Sequence, residues 1–239
     1  MPNDFFQFKQ FRVEQDQCAM KVCTDSCIFG AWAAAVADIQ TKRILDIGTG
    51  TGLLSLMLAQ YLPSSIDAVE LDESAAEQAK SNFKNSPWKE RLQVHPVSIQ
   101  EFVSNESYDL IISNPPFFEN DLHSDDERVN QARHEGTLDL SSLLVAVQKH
   151  LTPRTGTAFI LYPYQRASQL IDEAEKHGLY PSFLMAIKHQ PEKEHFRMIC
   201  QFKTEKTANV QVASLSIRDE KDYYSDAFYT LLSPYYLNL

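Results

Sequence analysis

The sequence has little of what marks fibrous, repetitive or membrane-spanning proteins. Its 239 residues include only 7 glycines and 11 prolines, too few for a fibrous or low-complexity chain. It contains no apolar run of about 18 residues that could span a bilayer, and its start lacks the charged and then apolar segments of a secretory signal. Because 44% of the residues are hydrophobic, we expect a globular cytoplasmic protein with a sizeable buried core and no membrane contact.

Cysteines are also few, and their spacing does not suit a metal site. None of the four forms a C-x-x-C pair, and no histidine or acidic residue stands near them at a spacing typical of metal ligands. We therefore expect no metal ion. In a reducing compartment the thiols need not form disulfides, and we expect small buried hydrophobic side chains at Cys18, Cys23, Cys27 and Cys200.

Positive charge is in short supply over most of the chain. The formal net charge is −10, yet residues 149–206 carry nine Lys and Arg against six Asp and Glu. A polyanionic partner should therefore approach the C-terminal half. The candidate phosphate contacts there are Lys188, Lys193, Arg197 and Lys203.

The N-terminal segment is predicted to form a hairpin and a helix. Phe6, Phe8, Phe11 and Val13 give an extended pattern, and Gln15–Gln17 could turn the chain. An alanine-rich helix follows, with one apolar face formed by Ile28, Phe29, Trp32, Val36 and Ile39. We expect residues 1–40 to pack on a domain formed by residues 41–239, so that the chain is a single domain overall.

From residue 43 onward, short apolar runs alternate with amphipathic helical stretches. That alternation predicts an α/β fold with a doubly wound, mostly parallel sheet. Beyond it, two runs joined by residues 190–194 indicate an antiparallel hairpin, and a final strand and a short Tyr-rich helix close the chain.

Three of the seven glycines lie within five residues, directly after the first apolar run of this region. A strand that enters a helix through Gly48, Gly50 and Gly52 lets the backbone approach a ligand closely. The spacing is G-x-G-x-G, so the third glycine of a dinucleotide fingerprint is absent and hydride transfer on NAD is disfavoured. Glu70 ends the next strand, where an acid commonly binds ribose hydroxyls, and a buried Asp46 would favour a cationic ligand group.

A second motif, Asn114-Pro115-Pro116-Phe117, follows the fourth strand of the alternating region. Each proline fixes its own φ and biases the preceding residue to extended conformations, so the Asn114 side chain and the Pro115 carbonyl have little freedom. Two such acceptors could hold the two N–H groups of a planar amino or amide nitrogen and direct its lone pair toward a methyl donor. Phe117 could then stack on the planar substrate.

The glycine turn with its two acids resembles the class I S-adenosylmethionine-dependent methyltransferases, and the Asn-Pro-Pro-Phe motif resembles enzymes of that class that methylate planar nitrogens. The whole chain resembles the bacterial valine tRNA adenine-N6 methyltransferase family, which modifies the adenosine 3′ of the anticodon. Further matching segments are residues 8–11, 18–22, 24–25, 30–33, 132–135 and the Tyr-rich tail. Cys23 and Ser26 stand where the resemblance leads us to expect glycine, and Ser98 stands where the class usually has an acid.

The resemblance implies a Rossmann-like, seven-stranded sheet, S-adenosylmethionine as cofactor and the anticodon loop of tRNA as substrate, and we expect a monomer. Together with the motifs it gives two sets of site residues. The predicted cofactor-binding residues are Thr24, Asp46, Gly48, Gly50, Gly52, Glu70, Leu71, Ser98, Ile99 and Asn114. The predicted catalytic residues are Asn114, Pro115, Pro116 and Phe117.

Alternatives remain open for the substrate. An Asn-Pro-Pro-Phe motif also fits methylation of a guanine amino group in ribosomal RNA or of a protein glutamine, and a non-catalytic RNA-binding protein could keep the fold. The acidic segment 119–139 could be a lid over the site. Arg133 there could pair with a phosphate, or form local salt bridges in a solvated loop.

Overall fold

A computed structural model describes residues 4–18, 20–116 and 138–239. Phe117, Arg133 and nearly all of the predicted lid at 119–139 lie outside these described residues, so those predictions stay predictions.

The described chain is built around one large sheet with helices on both faces. Its strands are β1 (Phe5–Gln7), β2 (Arg12–Glu14), β3 (Arg43–Ile47), β4 (Ser65–Val69), β5 (Leu92–His95), β6 (Leu110–Ser113), β7 (Thr157–Pro163), β8 (Tyr180–Lys188), β9 (His195–Lys203) and β10 (Gln211–Ser216). Its helices are α1 (Thr24–Val36), α2 (Leu53–Tyr61), α3 (Glu73–Lys84), α4 (Leu140–His150), α5 (Ala167–Lys176) and α6 (Asp226–Leu232). Short 3-10 turns lie at Lys89–Arg91 and Tyr164–Arg166.

The large sheet has the strand order β10-β8-β9-β7-β6-β3-β4-β5. Every neighbouring pair is parallel except those of β9, which runs antiparallel to both β7 and β8. The predicted mostly parallel, doubly wound class is therefore confirmed. Among the described residues the sheet has eight strands, one more than the seven expected, because β10 adds in parallel to the outer edge of β8.

Alternating residues of the central strands feed two separate hydrophobic cores. Ile44 packs into the core that contains residues of α1, α2 and α6, and its neighbour Leu45 packs into the core that contains residues of α4 and α5. Successive side chains of a strand point to opposite faces, so a buried parallel strand must be apolar at consecutive positions. This requirement explains the continuous apolar runs in the sequence.

Helix α1 differs from the predicted amphipathic helix. Its residues from Ser26 to Ala34 are all buried, and the Trp32 ring packs edge-on against Phe159 of β7 with 5.5 Å between ring centroids. The predicted apolar face is wrong at its end, because the helix stops at Val36 and both Val36 and Ile39 are exposed. Alanines rather than polar residues fill the second face, so the helix can be buried on all sides.

The N-terminal hairpin is present, but its turn lies earlier than predicted. Strands β1 and β2 pair antiparallel, and the Phe8 N–H donates to the Phe11 carbonyl at 2.9 Å to close the turn. The chain does bend at Asp16 and Gln17, but the two strands of the hairpin are joined at Phe8–Phe11 and not at Gln15–Gln17. The hairpin is tied to the rest of the fold by the Lys9 N–H, which donates to the Tyr235 carbonyl at 2.8 Å. The division of the chain at residue 40 stays a prediction.

Within the residues described here, no helix has both the length and the hydropathy needed to cross a membrane. The predicted burial of the cysteines holds for Cys27 and Cys200, whereas Cys18 is partly exposed and Cys23 is exposed. In the described part of the chain, no three His, Cys, Asp or Glu side chains are grouped so that they could hold a metal ion.

Candidate active site

A cavity of about 650 Å³ opens where the parallel strands β3, β4, β5 and β6 end. Ligands of open α/β sheets bind at this carboxyl edge, and the volume lies in the range typical of small-molecule sites. The cavity is lined by Cys18, Met20, Ile47, Gly48, Gly50, Val69, Glu70, Leu71, Asp72, Ala75, Val97, Ser98, Ile99, Gln100, Glu101, Asn114, Pro115, Pro116 and Leu138. Nine of the predicted site residues thus lie on its wall.

The three glycines of the turn have different surroundings. Gly48, Gly50 and Gly52 all have positive φ, at 71°, 55° and 83°, a region that favours glycine. A Cβ on Gly48 would meet nothing within 4 Å, and one on Gly50 would meet only Cys18 Sγ at 3.7 Å. A Cβ on Gly52 would lie 2.5 Å from the Phe83 ring. Gly48 and Gly50 therefore leave room at the cavity, whereas Gly52 lets the start of α2 approach the Phe83 ring of α3 closely.

The Glu70 carboxylate lies beside this turn and is held by backbone on both oxygens. Oε2 accepts from the Gly50 N–H at 2.8 Å, and Oε1 accepts from the Asp72 N–H at 3.0 Å. Each carboxylate oxygen can accept more than one hydrogen bond, so both can still accept from a ligand hydroxyl. Glu70 thus presents a fixed acceptor to the cavity.

Asp46 occupies a different place from the one that the sequence suggests. It is 0% exposed and does not line the cavity. Its Oδ2 accepts from Thr49 Oγ at 2.6 Å and from Ser55 Oγ at 2.7 Å, which ties the glycine turn to α2. Burial, partly offset by these two hydrogen bonds, raises the pKa of Asp46 to about 6. Contact of its carboxylate with a cationic ligand group would require the turn to open, because no Asp46 atom reaches the surface.

The residues that follow β5 form another part of the cavity wall. Ser98 Oγ donates to Glu101 Oε2 at 2.9 Å and accepts from the Glu101 N–H at 3.2 Å. Glu101 and Gln100 both line the cavity, so a carboxylate is present three residues after the position where the class usually has one. Glu101 was not predicted as a site residue, because it lies in a turn and not at a strand end.

The Asn114 side chain is anchored on one side and unpartnered on the other. Its Nδ2 donates to Ser26 Oγ at 3.0 Å. Its Oδ1 is buried and has no hydrogen-bond partner among the residues that the structure describes. A buried acceptor without a partner costs free energy. Asn114, Pro115 and Pro116 all line the cavity, so the wall around them includes one strong acceptor that is ready for a donor.

Some predicted site residues are not brought to the cavity. Thr24 is exposed at the N-terminus of α1 and, like Gly52, does not line the cavity wall. Other lining residues were missed by the sequence analysis, among them Met20, Asp72 and Leu138. Met20 and Leu138 lie in irregular segments, and Asp72 is the N-cap of α3. Such positions carry no periodic pattern that would mark them as part of a site.

The candidate phosphate contacts are divided between the two edges of the sheet. Arg197 lies opposite Pro163, at the carboxyl end of β7 and so at the edge with the cavity. Lys203 lies opposite Tyr180, the first residue of β8, and hence at the other edge. Arg197 also donates from Nε to Asp25 Oδ2 at 2.9 Å. The predicted single patch is therefore wrong: Lys188, Lys193 and Arg197 lie at the cavity edge, whereas Lys203 does not.

Comparison with known proteins agrees with this geometry. The model of the methyltransferase small domain matches residues 32–151. The tRNA1(Val) (adenine(37)-N6)-methyltransferase of Dyadobacter fermentans is 44% identical over 240 residues, which cover 98% of each chain. The protein of the same name from Parabacteroides distasonis is 39% identical over the full length of both chains.

Solved structures show the same fold at low sequence identity. A predicted O-methyltransferase from Agrobacterium tumefaciens superposes with a TM-score of 0.68 at 16% identity, covering 89% of this chain and 99% of its own. A Listeria monocytogenes protein described as a class I S-adenosylmethionine-dependent methyltransferase gives 0.60 at 16% identity, covering 83% and 68%.

The parallel sheet, the glycine turn at its carboxyl edge and the methyltransferase-domain match define a class I S-adenosylmethionine-dependent methyltransferase. S-adenosylmethionine is its methyl donor. Within that class, the chain belongs to the tRNA1(Val) (adenine(37)-N6)-methyltransferase family.

Proposed function

We propose that this enzyme transfers a methyl group from S-adenosylmethionine to the exocyclic N6 amino group of adenine 37 in tRNA1(Val). The substrate is taken from the names of full-length relatives at 44% and 39% identity. The observation that carries the chemistry is the buried, unpartnered Oδ1 of Asn114 on the cavity wall. An acceptor in that position suits a nitrogen that still carries hydrogens.

The residues on the cavity wall fit the cofactor. Gly48 and Gly50 leave the turn open to a close approach, and the fixed Glu70 carboxylate would accept from ribose hydroxyls. Ser98, Ile99 and Leu71 would flank the adenine base, with Glu101 as an additional acceptor. Bound there, the cofactor supplies an electrophilic methyl group on a positively charged sulfur.

Asn114 and Pro115 would position the substrate amino group. Asn114 Oδ1 and the Pro115 carbonyl would each accept one of its N–H bonds, which makes the nitrogen more electron-rich and directs its lone pair toward the methyl group. The developing positive charge on nitrogen is stabilised by the same two acceptors, and the extra proton leaves to water afterwards. No general base is needed before transfer. Phe117 would stack on the base.

Access to the base requires an unpaired nucleotide, because the amino group of a paired adenine is engaged in the duplex. Position 37 lies in the anticodon loop and meets that requirement. Lys188 and Lys193, at the cavity edge, are the described cations that we assign to the tRNA backbone. A monomer acting in the cytoplasm, where tRNA is found, is part of the same proposal.

The test uses labelled S-adenosylmethionine with a transcript of tRNA1(Val) and a matched transcript that carries guanine at position 37. Nucleoside analysis should find N6-methyladenosine in the first transcript and no label in the second. Label in the guanine transcript, or in another nucleoside of the first, would reject the assignment of the base. Total RNA and protein from a strain lacking this enzyme serve as a second substrate pool. Label found there in guanine or in glutamine would identify the alternative substrates.

A further inference from the structure

Ser26 contacts the Asn114 carboxamide at its nitrogen, Nδ2. The role of Ser26 argued below rests on the proposed function. It is 6% exposed, and its Oγ lies 3.0 Å from Asn114 Nδ2 and 2.9 Å from Cys23 Sγ. This contact was not expected from the sequence, because glycine was expected at position 26.

Asp25 and Cys23 are the neighbours of Ser26 at the start of α1. The Asp25 carboxylate accepts from Arg197 Nε at 2.9 Å and from the Ser26 N–H at 3.1 Å. Desolvation and the charge of Asp25 raise the pKa of the Cys23 thiol, which therefore stays protonated. Its sulfur lies 2.9 Å from Ser26 Oγ and can accept the Ser26 proton there.

The observed orientation of Asn114 uses the Ser26 oxygen as an acceptor. Asn114 Nδ2 donates to Ser26 Oγ at 3.0 Å, which leaves the hydroxyl proton available to Cys23 Sγ. A carboxamide carries donors on nitrogen and none on oxygen, so a flipped Asn114 would need that same proton for its Oδ1. In the observed orientation Oδ1 is turned away from Ser26 and has no hydrogen-bond partner among the described residues.

We infer that Ser26 is a positioning residue that fixes the orientation of the Asn114 carboxamide and thereby presents Oδ1 to the substrate amino group. A flipped carboxamide would place an NH₂ donor against the N–H bonds of the substrate, which would repel it. Without Ser26, both orientations become accessible. The loss of Ser26 should affect the position of Asn114 Oδ1 and not the binding of the cofactor, because Ser26 does not line the cavity.

The first measurement compares Ser26→Ala with wild type at saturating cofactor and tRNA. We expect kcat to fall about tenfold, the rate equivalent of one hydrogen bond, with the Kd for S-adenosylmethionine unchanged. Ser86→Ala is the matched control, because Ser86 is also 6% exposed and its Oγ donates to the Phe83 carbonyl at 2.8 Å. An unchanged kcat for Ser26→Ala, or an equal loss for Ser86→Ala, would overturn the inference.

A double-mutant cycle separates positioning from a general structural effect. If Ser26 acts through Asn114, Ser26→Ala should not lower kcat further in a protein that already carries Asn114→Ala. Full additivity of the two losses would overturn the inference. Cys23→Ala provides a variant at an exposed position, where folding is not at risk. It frees the Ser26 hydroxyl to rotate and should lower kcat less than Ser26→Ala; a larger loss would assign the effect to the loop as a whole.

One readout does not depend on the substrate. In protein with 15N-labelled asparagine, Asn114→Ala identifies the side-chain NH₂ signals of Asn114. We expect Ser26→Ala to shift these signals and to speed their exchange with water, whereas Ser86→Ala leaves them in place. Unchanged signals would overturn the inference even if the enzyme methylates a different nitrogen. Failure of tRNA methylation with shifted signals would count against the proposed function alone.

Discussion

Glu70 Oε2 accepts a hydrogen bond from the backbone N–H of Gly50 at 2.8 Å. This contact joins the acid that follows β4 to the turn that follows β3, so the ligand acceptor and the backbone that approaches the ligand hold each other in place. A change at Glu70 therefore affects both.

Glu70→Ala should weaken S-adenosylmethionine binding by about 1–3 kcal/mol, the usual cost of losing a charge-assisted hydrogen bond. Calorimetric titration measures it. Glu73→Ala is the control, because Glu73 is exposed in the first turn of α3 and does not line the cavity. Equal affinity of Glu70→Ala and wild type would remove Glu70 from the cofactor site.

Asn114→Ala should lower kcat by roughly 10²–10³, by analogy with the loss of one preorganised oxyanion contact. Cofactor affinity should change little, because the interaction is made with the reacting amino group. Single-turnover rates and calorimetry test the two parts. Asn85→Ala, at the exposed end of α3, should match wild type in both. A wild-type rate for Asn114→Ala would show that another group positions the substrate.

Asp46 should make the protein less stable as the pH rises. Its folded pKa of about 6 lies above the ordinary value, so the folded state binds the proton more tightly than the unfolded state does. The contribution of Asp46 to the free energy of unfolding is fully present below about pH 4. It falls by about 3 kcal/mol at most as the pH rises through about 6. Asp46→Asn cannot ionise. The stability difference between it and wild type, from urea unfolding at several pH values, should therefore move in favour of Asp46→Asn over this interval. A difference independent of pH would contradict the prediction.

Gly52→Ala and Gly48→Ala should separate packing from ligand access. Both place alanine at positive φ, which costs about 1–2 kcal/mol. Gly52→Ala additionally forces a Cβ to 2.5 Å from the Phe83 ring, so it should lose about 1–3 kcal/mol more. Gly48→Ala has open space and should mainly weaken cofactor binding. Equal losses of stability in thermal unfolding would contradict the packing argument.

Lys188→Gln with Lys193→Gln should weaken tRNA binding at low salt. Each phosphate contact contributes about −0.7 to −0.9 to the slope of log K against log salt, so the slope should flatten by one to two such units. Lys203→Gln is the control, because Lys203 lies at the opposite edge of the sheet. An equal effect of Lys203→Gln would show that tRNA does not approach the cavity edge through these two lysines.

The local sequence pattern was sufficient to predict the class of fold and to find the glycine turn and the Asn-Pro-Pro-Phe motif. The continuous apolar runs of β3, β6 and β7 can be satisfied only by a sheet covered on both faces, and the glycines at 48 and 50 need a backbone region that other residues avoid. Asn114 and Glu70 were found because each follows a strand, and parallel strands bring their carboxyl ends to one edge.

What the sequence by itself could not determine is which side chains meet across long separations. The first hairpin turns at Phe8–Phe11. The Lys9 N–H within that turn donates to the Tyr235 carbonyl, and the Glu14 N–H of β2 donates to Asn82 Oδ1 of α3. No local pattern contains these contacts. Asp46 does not line the cavity, because its carboxylate accepts hydrogen bonds from the buried hydroxyls of Thr49 and Ser55. The contact of Ser26 with Asn114 joins residues 88 positions apart. Hydrogen bonds of this kind depend on the packing of whole elements, so only the tertiary structure decides them.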